Sequence, residues 1–258
     1  MPAPSLPQPS PQSTPSPCPR PPPADPDLAG FLLVDKPSGC TSHDVVVSIR
    51  RRFRVKKVGH GGTLDPMATG LLVLLIGRAT KLSDRVMGHD KTYTATMRLG
   101  IETDSQDAEG TPVATAAPEA VAAIGADDLR RAFADLTGDI YQTPPMASAK
   151  KIDGVPLYKL ARQGKVVPRE PRIIHVYRFD LHRYTPPDAD FTVACTKGTY
   201  IRTLAHDAGQ ALHVGAHLIR LRRTKLGPFA VENSIPLATL LAADSLAPYL
   251  LPLTTPLD

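Results

Sequence analysis

The sequence predicts an α+β domain in which strands outnumber helices and most neighbouring strands are joined as hairpins. Three stretches carry that prediction. Residues 71–76, LLVLLI, are apolar without a break, the pattern of a strand buried on both faces. Residues 91–99 alternate, with Tyr93, Ala95, Met97 and Leu99 on one face and Thr92, Thr94, Thr96 and Arg98 on the other. Val45, Ile49 and Phe53 recur every four residues, as on the buried face of a helix.

Residues 1–27 are mostly Pro, Ser, Gln and Ala without apolar periodicity. Such a segment cannot repay the entropy of ordering, and it reads as a disordered, partly polyproline II tail. Order is expected from Leu28. Residues 31–34 read as a strand and Pro37-Ser38-Gly39 as a turn. Ser42 is the expected N-cap of the next helix, with Asp44 in its first turn where the dipole favours it. Arg50, Arg51, Arg52, Arg54, Lys56 and Lys57 follow. A charge run is ordinarily a solvated helix face. This one leads into a glycine-rich loop and is read as a phosphate-contacting rim.

That loop holds Gly59, Gly61 and Gly62, then Asp65 and Pro66, and closes on Thr69 and Gly70. Glycine permits tight turns and close approach to a ligand. Pro66 biases Asp65 toward an extended conformation. One carboxylate thus sits on a stiff loop that feeds a core strand, an arrangement suited to a reactive group. No Gly-Lys-Ser/Thr follows, so the loop is not a phosphate-binding P-loop.

Further along, residues 79–86 read as a helix, 101–120 as a turn and loop, and 127–136 as a helix. Residues 142–171, rich in Pro, Gly and cations, read as a functional insertion, with Leu157, Leu160 and Ala161 hinting at a short helix. Residues 173–182 and 191–196 read as strands, and 202–212 as a helix. Leu218 and Leu221 interleave with Arg220 and Arg222 until Gly227-Pro228 stops the pattern. A short helix near 237–243 ends the fold, leaving 251–258 as a C-terminal tail.

The 258 residues carry a net charge of +5 and a pI near 9.2, which suits a polyanionic partner. Three scattered cysteines, Cys18, Cys40 and Cys195, point to a reducing compartment, the cytoplasm. No apolar stretch approaches the ~20 residues of a membrane span, and the N-terminus lacks a secretory signal pattern. His213 and His217 are four apart, but Gly215 lies between them and no third ligand accompanies them, so no metal site is expected.

The string GHGGTLDPMATGLLVLLIGRATKL (59–82) closely resembles the GHxGxLDPxAxGxLxxxxGxATK signature of the TruB family, the tRNA pseudouridine-55 synthases. FLLVDKPSGCTSHDVV (31–46) and KTYTATMRLGIETDSQDAEG (91–110) resemble further family motifs. So do PPMASAKKIDGVPLYKLARQGKVVPREPR (144–172), CTKGTYIRTLAHDAG (195–209) and GAHLIRLRRTKLGPF (215–229). The resemblance runs over about residues 28–250, in the family's order.

It implies the pseudouridine synthase fold, a long, mixed, mostly antiparallel sheet flanked by helices around a central cleft. Residues 28–250 would form the catalytic domain and 142–171 its RNA-contacting insertion. The implied activity is isomerisation of uridine to pseudouridine at position 55 in the TΨC loop of tRNA. The base is flipped out, its glycosidic bond is cleaved, and it is rejoined through carbon 5. Nothing is consumed, so no cofactor is expected. The expected partner is the TΨC arm and elbow of tRNA, bound by a monomer with no obligate protein partner and no membrane.

The resemblance makes Asp65 the catalytic carboxylate, a nucleophile or electrostatic stabiliser. Arg202 would pair with it and keep it ionised by lowering its pKa. Tyr93 would stack on the flipped base, Tyr200 and Leu221 would close the pocket, and His60 would fill the space the base leaves. Lys36-Pro37 would support the cleft, with Lys36 a candidate phosphate contact. Many bacterial members continue into a small RNA-binding domain of the PUA type, which would begin near Asp258 and is expected either to be absent or to have been cut away. Two other classes compete: an RNA-binding or tRNA-folding protein of the same shape, and a hydrolase or glycosylase that releases free base. Asp65, Tyr93 and Arg202 together favour the isomerase, and the motif's single carboxylate argues against a paired-carboxylate hydrolase.

Overall fold

A computed structural model describes residues 27–146, 148, 151–152, 155–156, 165 and 167–257. All of the Pro-rich tail but Asp27 lies outside the described residues. So does much of the 142–171 insertion, including the short helix expected near Leu157.

The chain opens with β1 (Gly30–Lys36), α1 (Ser42–Phe53), β2 (Val58–His60) and β3 (Thr69–Ile76). β3 is buried on both faces, as its unbroken apolar run predicts. Leu72, Leu74 and Ile76 enter one core cluster, while Leu71, Val73 and Leu75 enter a second on the opposite side of the sheet. A 3-10 turn (Gly77–Leu82) and the short α2 (Ser83–Gly88) then replace the single helix expected over 79–86. β4 is Lys91–Leu99, with the bounds its alternation predicts.

Residues 101–120 depart from the expected loop. They form a small hairpin, β5 (Ile101–Thr103) and β6 (Pro112–Thr115), followed by α3 (Pro118–Ala122). Both strands are too short to show a period. α4 (Ala126–Asp135), the edge strand β7 (Gly138–Gln142) and the two-residue strands β8 (Lys151–Ile152) and β9 (Val155–Pro156) come next. β10 (Arg172–Thr185) and β11 (Asp188–Cys195) form a long hairpin. α5 (Ile201–Ala211) and β12 (Ala216–Leu226) follow, then β13 (Phe229–Ala230), β14 (Ile235–Pro236), α6 (Leu237–Ala242) and β15 (Leu250–Leu251).

One eleven-stranded sheet organises most of these elements, eight strands in the order β14-β1-β3-β12-β4-β11-β10-β7, with β13, β15 and β2 added on β12, β1 and β3. Its pairings are antiparallel except β1–β14 and β3–β12. β12 therefore lies in the middle of the sheet although it comes late in the chain. It meets β3 over only two pairs, Arg222–Thr69 and Arg223–Gly70, but runs the full length of β4. A bulge between Leu218 and Arg220 resets its register, so Leu218 and Leu221, three apart, both reach the same core cluster.

Three local expectations are corrected. The cap of α1 is Thr41, not Ser42. Thr41 Oγ1 accepts from Asp44 N at 3.0 Å and Asp44 Oδ2 accepts from Thr41 N at 2.9 Å, a reciprocal capping box. Arg52 leaves the basic rim, since Nε and Nη2 donate to the Leu241 and Ala243 carbonyls, both at 2.8 Å. Residues 251–257 do not trail away, because Leu251, Leu253 and the buried Leu257 pack on the second core cluster.

Candidate active site

Asp65 sits between β2 and β3 in a segment whose shape is fixed from several sides. Ala68 N donates to Asp65 O at 3.1 Å, closing a turn with Pro66 at the position where its fixed φ fits. The β1–α1 connection grips one flank of the segment. Ser42, fully inside the structure, accepts from Leu64 N at 2.8 Å and donates to Leu64 O at 3.1 Å. Gly39 N donates to Pro66 O at 2.9 Å and Ser38 Oγ to Met67 O at 3.1 Å. Lys36 is completely buried, and its Nζ donates to the carbonyls of Pro37, Cys40 and Pro66 at 2.9, 2.6 and 3.2 Å. This is the support expected of Lys36. The phosphate contact is not available to it, because its donors are spent inside the protein.

Arg202, in the first turn of α5, faces this loop. Its Nε stands 3.0 Å from Asp65 Oδ2 and its Nη2 donates to Asp65 Oδ1 at 3.3 Å, a two-pronged pair. The opposite edge of the guanidinium is engaged too. Nη1 donates to Ser105 O at 2.8 Å and lies 3.3 Å from Asp107 Oδ2. Asp107 was not among the residues the sequence singled out. It arrives on the 103–111 turn, which is stitched to β12 by Leu218 N to Gln106 O at 3.0 Å and Ala108 N to Leu218 O at 2.9 Å.

Burial, more than the arginine, sets the electrostatics of Asp65. Burial pushes the Asp65 carboxyl above its ordinary value, Arg202 pulls it back, and Asp107 adds to the push. The net direction is up, because burial outweighs the pull of the arginine, the reverse of the lowering expected from the pairing.

The structure places the other expected residues as follows. Tyr93 and Leu221 lie on the same face of the β4–β12 ladder and are each 7% exposed. Burial pushes the Tyr93 phenol up, while Arg223 acts against that shift. Tyr200 precedes α5, half-buried. Gln142 holds its backbone from both sides, donating to Tyr200 O at 3.1 Å and accepting from Tyr200 N at 2.7 Å. His60 ends β2 half-buried, and burial with the nearby charge of Arg223 keeps its imidazole low and therefore neutral. The direct contacts thus join Asp65 and Arg202. A cleft of about 540 Å³ runs along β4 and β12 beside the loop, lined in part by Ser38, Met67, Thr69, Arg220, Leu221 and Arg222.

Among the described residues no three His, Cys, Asp or Glu side chains converge as a metal would need. His217 Nδ1 lies 2.8 Å from Ile101 O. No described helix is long and apolar enough to cross a membrane.

The family model for the N-terminal domain of TruB family pseudouridylate synthases matches residues 50–201. A model for the tRNA pseudouridylate synthase B C-terminal domain matches residues 202–258. The chain belongs to the TruB family. A tRNA pseudouridine synthase B of Opitutus terrae is 53% identical over 211 residues, 82% of this chain and 86% of that protein. The Bordetella avium protein of the same name is 46% identical over 237 residues, 88% and 97% of the two chains. Among solved structures, a chain from the crystal structure of a Cbf5-Nop10-Gar1 complex is 33% identical with a TM-score of 0.64. That match covers 82% of this chain but 53% of the other, so this TruB-family chain spans about half of its length.

The two carboxylates therefore lie at one arginine in a pseudouridylate synthase, and only one of them belongs to the family's signature loop.

Proposed function

We propose that this chain converts uridine 55 in the TΨC loop of tRNA to pseudouridine, with Asp65 as its catalytic carboxylate. The observation that carries the reading is the Asp65–Arg202 pair, held on a clamped loop whose later residues Met67 and Thr69 line an open cleft. The relatives named tRNA pseudouridine synthase B support tRNA as the substrate.

The reaction needs a base taken out of its stack, a charge stabiliser where the glycosidic bond breaks, and a pocket that retains free uracil. Asp65 acts at the breaking bond as nucleophile or stabiliser. Arg202 fixes its two oxygens. Tyr93 stacks on the base, worth roughly 1–3 kcal/mol against an unstacking cost of a few kcal/mol. Leu221 and Tyr200 close the pocket, and His60, neutral, fills the gap left in the RNA. Arg50, Arg51, Arg54, Lys56 and Lys57 are exposed. They sit at the far end of the 12-residue α1, about 18 Å from the end that grips the loop. They meet phosphates of the tRNA elbow, and the 142–171 insertion contacts phosphates of the elbow as well. The enzyme works as a cytoplasmic monomer without a cofactor or an obligate protein partner.

Incubation with an unmodified tRNA transcript tests the reading. Pseudouridine at position 55 is the expected product. Free uracil would make the protein a glycosylase, and neither product would reduce it to an RNA-binding protein.

A further inference from the structure

Arg223 lies at the centre of the sheet and is 1% exposed. Its Nε donates to Leu71 O at 2.8 Å, its Nη2 to Gly62 O at 3.0 Å and its Nη1 to Thr63 O at 3.4 Å. The guanidinium therefore grips the Asp65 segment before the carboxylate and after it. One glycine makes room: at Gly70, φ +95°, a Cβ would stand 2.4 Å from Arg223 O.

Arg223 is also the cross-strand partner of Tyr93 in the β12–β4 ladder. Directly opposed residues leave a sheet on the same face. The two side chains therefore share a face, and while burial pushes the phenol up, the charge of Arg223 acts against that shift. One residue thus holds the loop that carries the carboxylate and stands directly opposite Tyr93 in the ladder. Desolvating a cation is costly. Neutral donors could serve three loop carbonyls, but only a cation also favours a phenolate over a phenol.

We propose that Arg223 is a positioning residue for the reaction, fixing Tyr93, its cross-strand partner, against the Asp65 loop. The proposal rests on the reading above, in which Tyr93 meets the flipped base. Once carbon 5 has joined the sugar, carbon 5 must lose a proton and N1 must gain one. The two atoms flank carbon 6 on one edge of the ring. Tyr93 gives its proton to N1, then takes the one from carbon 5, which restores the phenol. Arg223 stabilises the phenolate between the two transfers.

A double-mutant cycle tests this, using single-turnover rates on unmodified tRNA at saturating enzyme, with melting temperature and tRNA affinity measured alongside. Arg223→Lys keeps a buried cation beside the loop carbonyls but loses the fork. It should slow wild type by about tenfold or more, yet change the rate of Tyr93→Phe little. Equal slowing in both backgrounds would show that Arg223 acts only through the loop and would overturn the proposal. Arg223→Met repeats the cycle without the cation and should give the same non-additivity with a larger loss. If neither variant slows wild type, the proposal also fails. A Tyr93→Phe enzyme within a few-fold of wild type would instead remove the proton role of Tyr93 itself, a failure of the underlying step that the same data identify separately.

Discussion

Arg202 has a carboxylate on each side, and the two are held in different ways. Asp65 keeps about a third of its side chain exposed (34%), and both its oxygens are met by the arginine. Asp107 is 6% exposed. Its Oδ1 accepts from Ser105 Oγ at 2.6 Å and from Glu109 N at 3.0 Å, and its Oδ2 faces the guanidinium. The same side chain at the same arginine is thus open to a substrate in one loop and saturated in the other. The local hydrogen bonds, not the arginine, set how far each carboxylate is left accessible.

The strongest way to break that contrast is Asp65→Asn. The change is nearly isosteric but removes the ionised oxygen, so no turnover should be detected while tRNA affinity stays near normal. Substantial single-turnover activity would move the chemistry away from Asp65. Tyr93→Phe is next. Asp65 is among the charges that act on the Tyr93 phenol, and loss of a hydroxyl that handles a proton should cost about 10²–10⁴ in single-turnover rate. Binding should be retained, because the ring face remains.

Asp107→Asn should have a smaller and different effect. Asp107 helps to push the Asp65 carboxyl up, so neutralising it favours the ionised form. The acid limb of the pH–rate profile, along which activity rises as Asp65 ionises, should move to lower pH. Melting should also report roughly 1–3 kcal/mol of lost stability, the cost of disturbing a buried hydrogen-bonded group. An unmoved acid limb would show that Asp107 does not influence the reactive carboxylate. The smallest effect belongs to Ser105→Ala, which removes one hydrogen bond from Asp107. It should cost about 1 kcal/mol of stability, measured by denaturant unfolding, and leave turnover within a few-fold of wild type.

Linkage gives the pair a stability consequence as well. The folded-state pKa of Asp65 lies above its ordinary value. Its stabilising contribution is therefore complete below the unfolded value of 3.8 and is lost as pH rises through the folded one. At neutral pH the fold gives up some stability to hold an ionised carboxylate there.

Local pattern revealed the parts of the fold that are decided locally. The 91–99 alternation and the 71–76 apolar run gave β4 and the body of β3, and the four-residue spacing of Val45, Ile49 and Phe53 gave α1. The Asp65–Arg202 contact, 137 positions apart, came only from the family resemblance. Asp107 escaped because its role depends on a turn stitched to β12, whose place in the sheet no local pattern reports. Arg223 read as one more cation in an alternating strand, with nothing nearby to mark it as buried. Ser42 looked like a cap because Ser and Thr are equivalent at that level. What separates them is Leu64, 22 residues on, which takes both hydrogen-bonding roles of the Ser42 hydroxyl.

The central place of β12 bears on how the chain can be divided. The two family models meet between residues 201 and 202, inside the first turn of α5 and immediately before the arginine. That border separates stretches of inherited sequence rather than bodies that could be parted. A fragment ending at 201 would expose the edges of β3 and β4 that β12 otherwise fills. Its complement would carry β12 without β3 and β4, paired only at its end with the two residues of β13, and Asp65 and Arg202 would lie on different pieces.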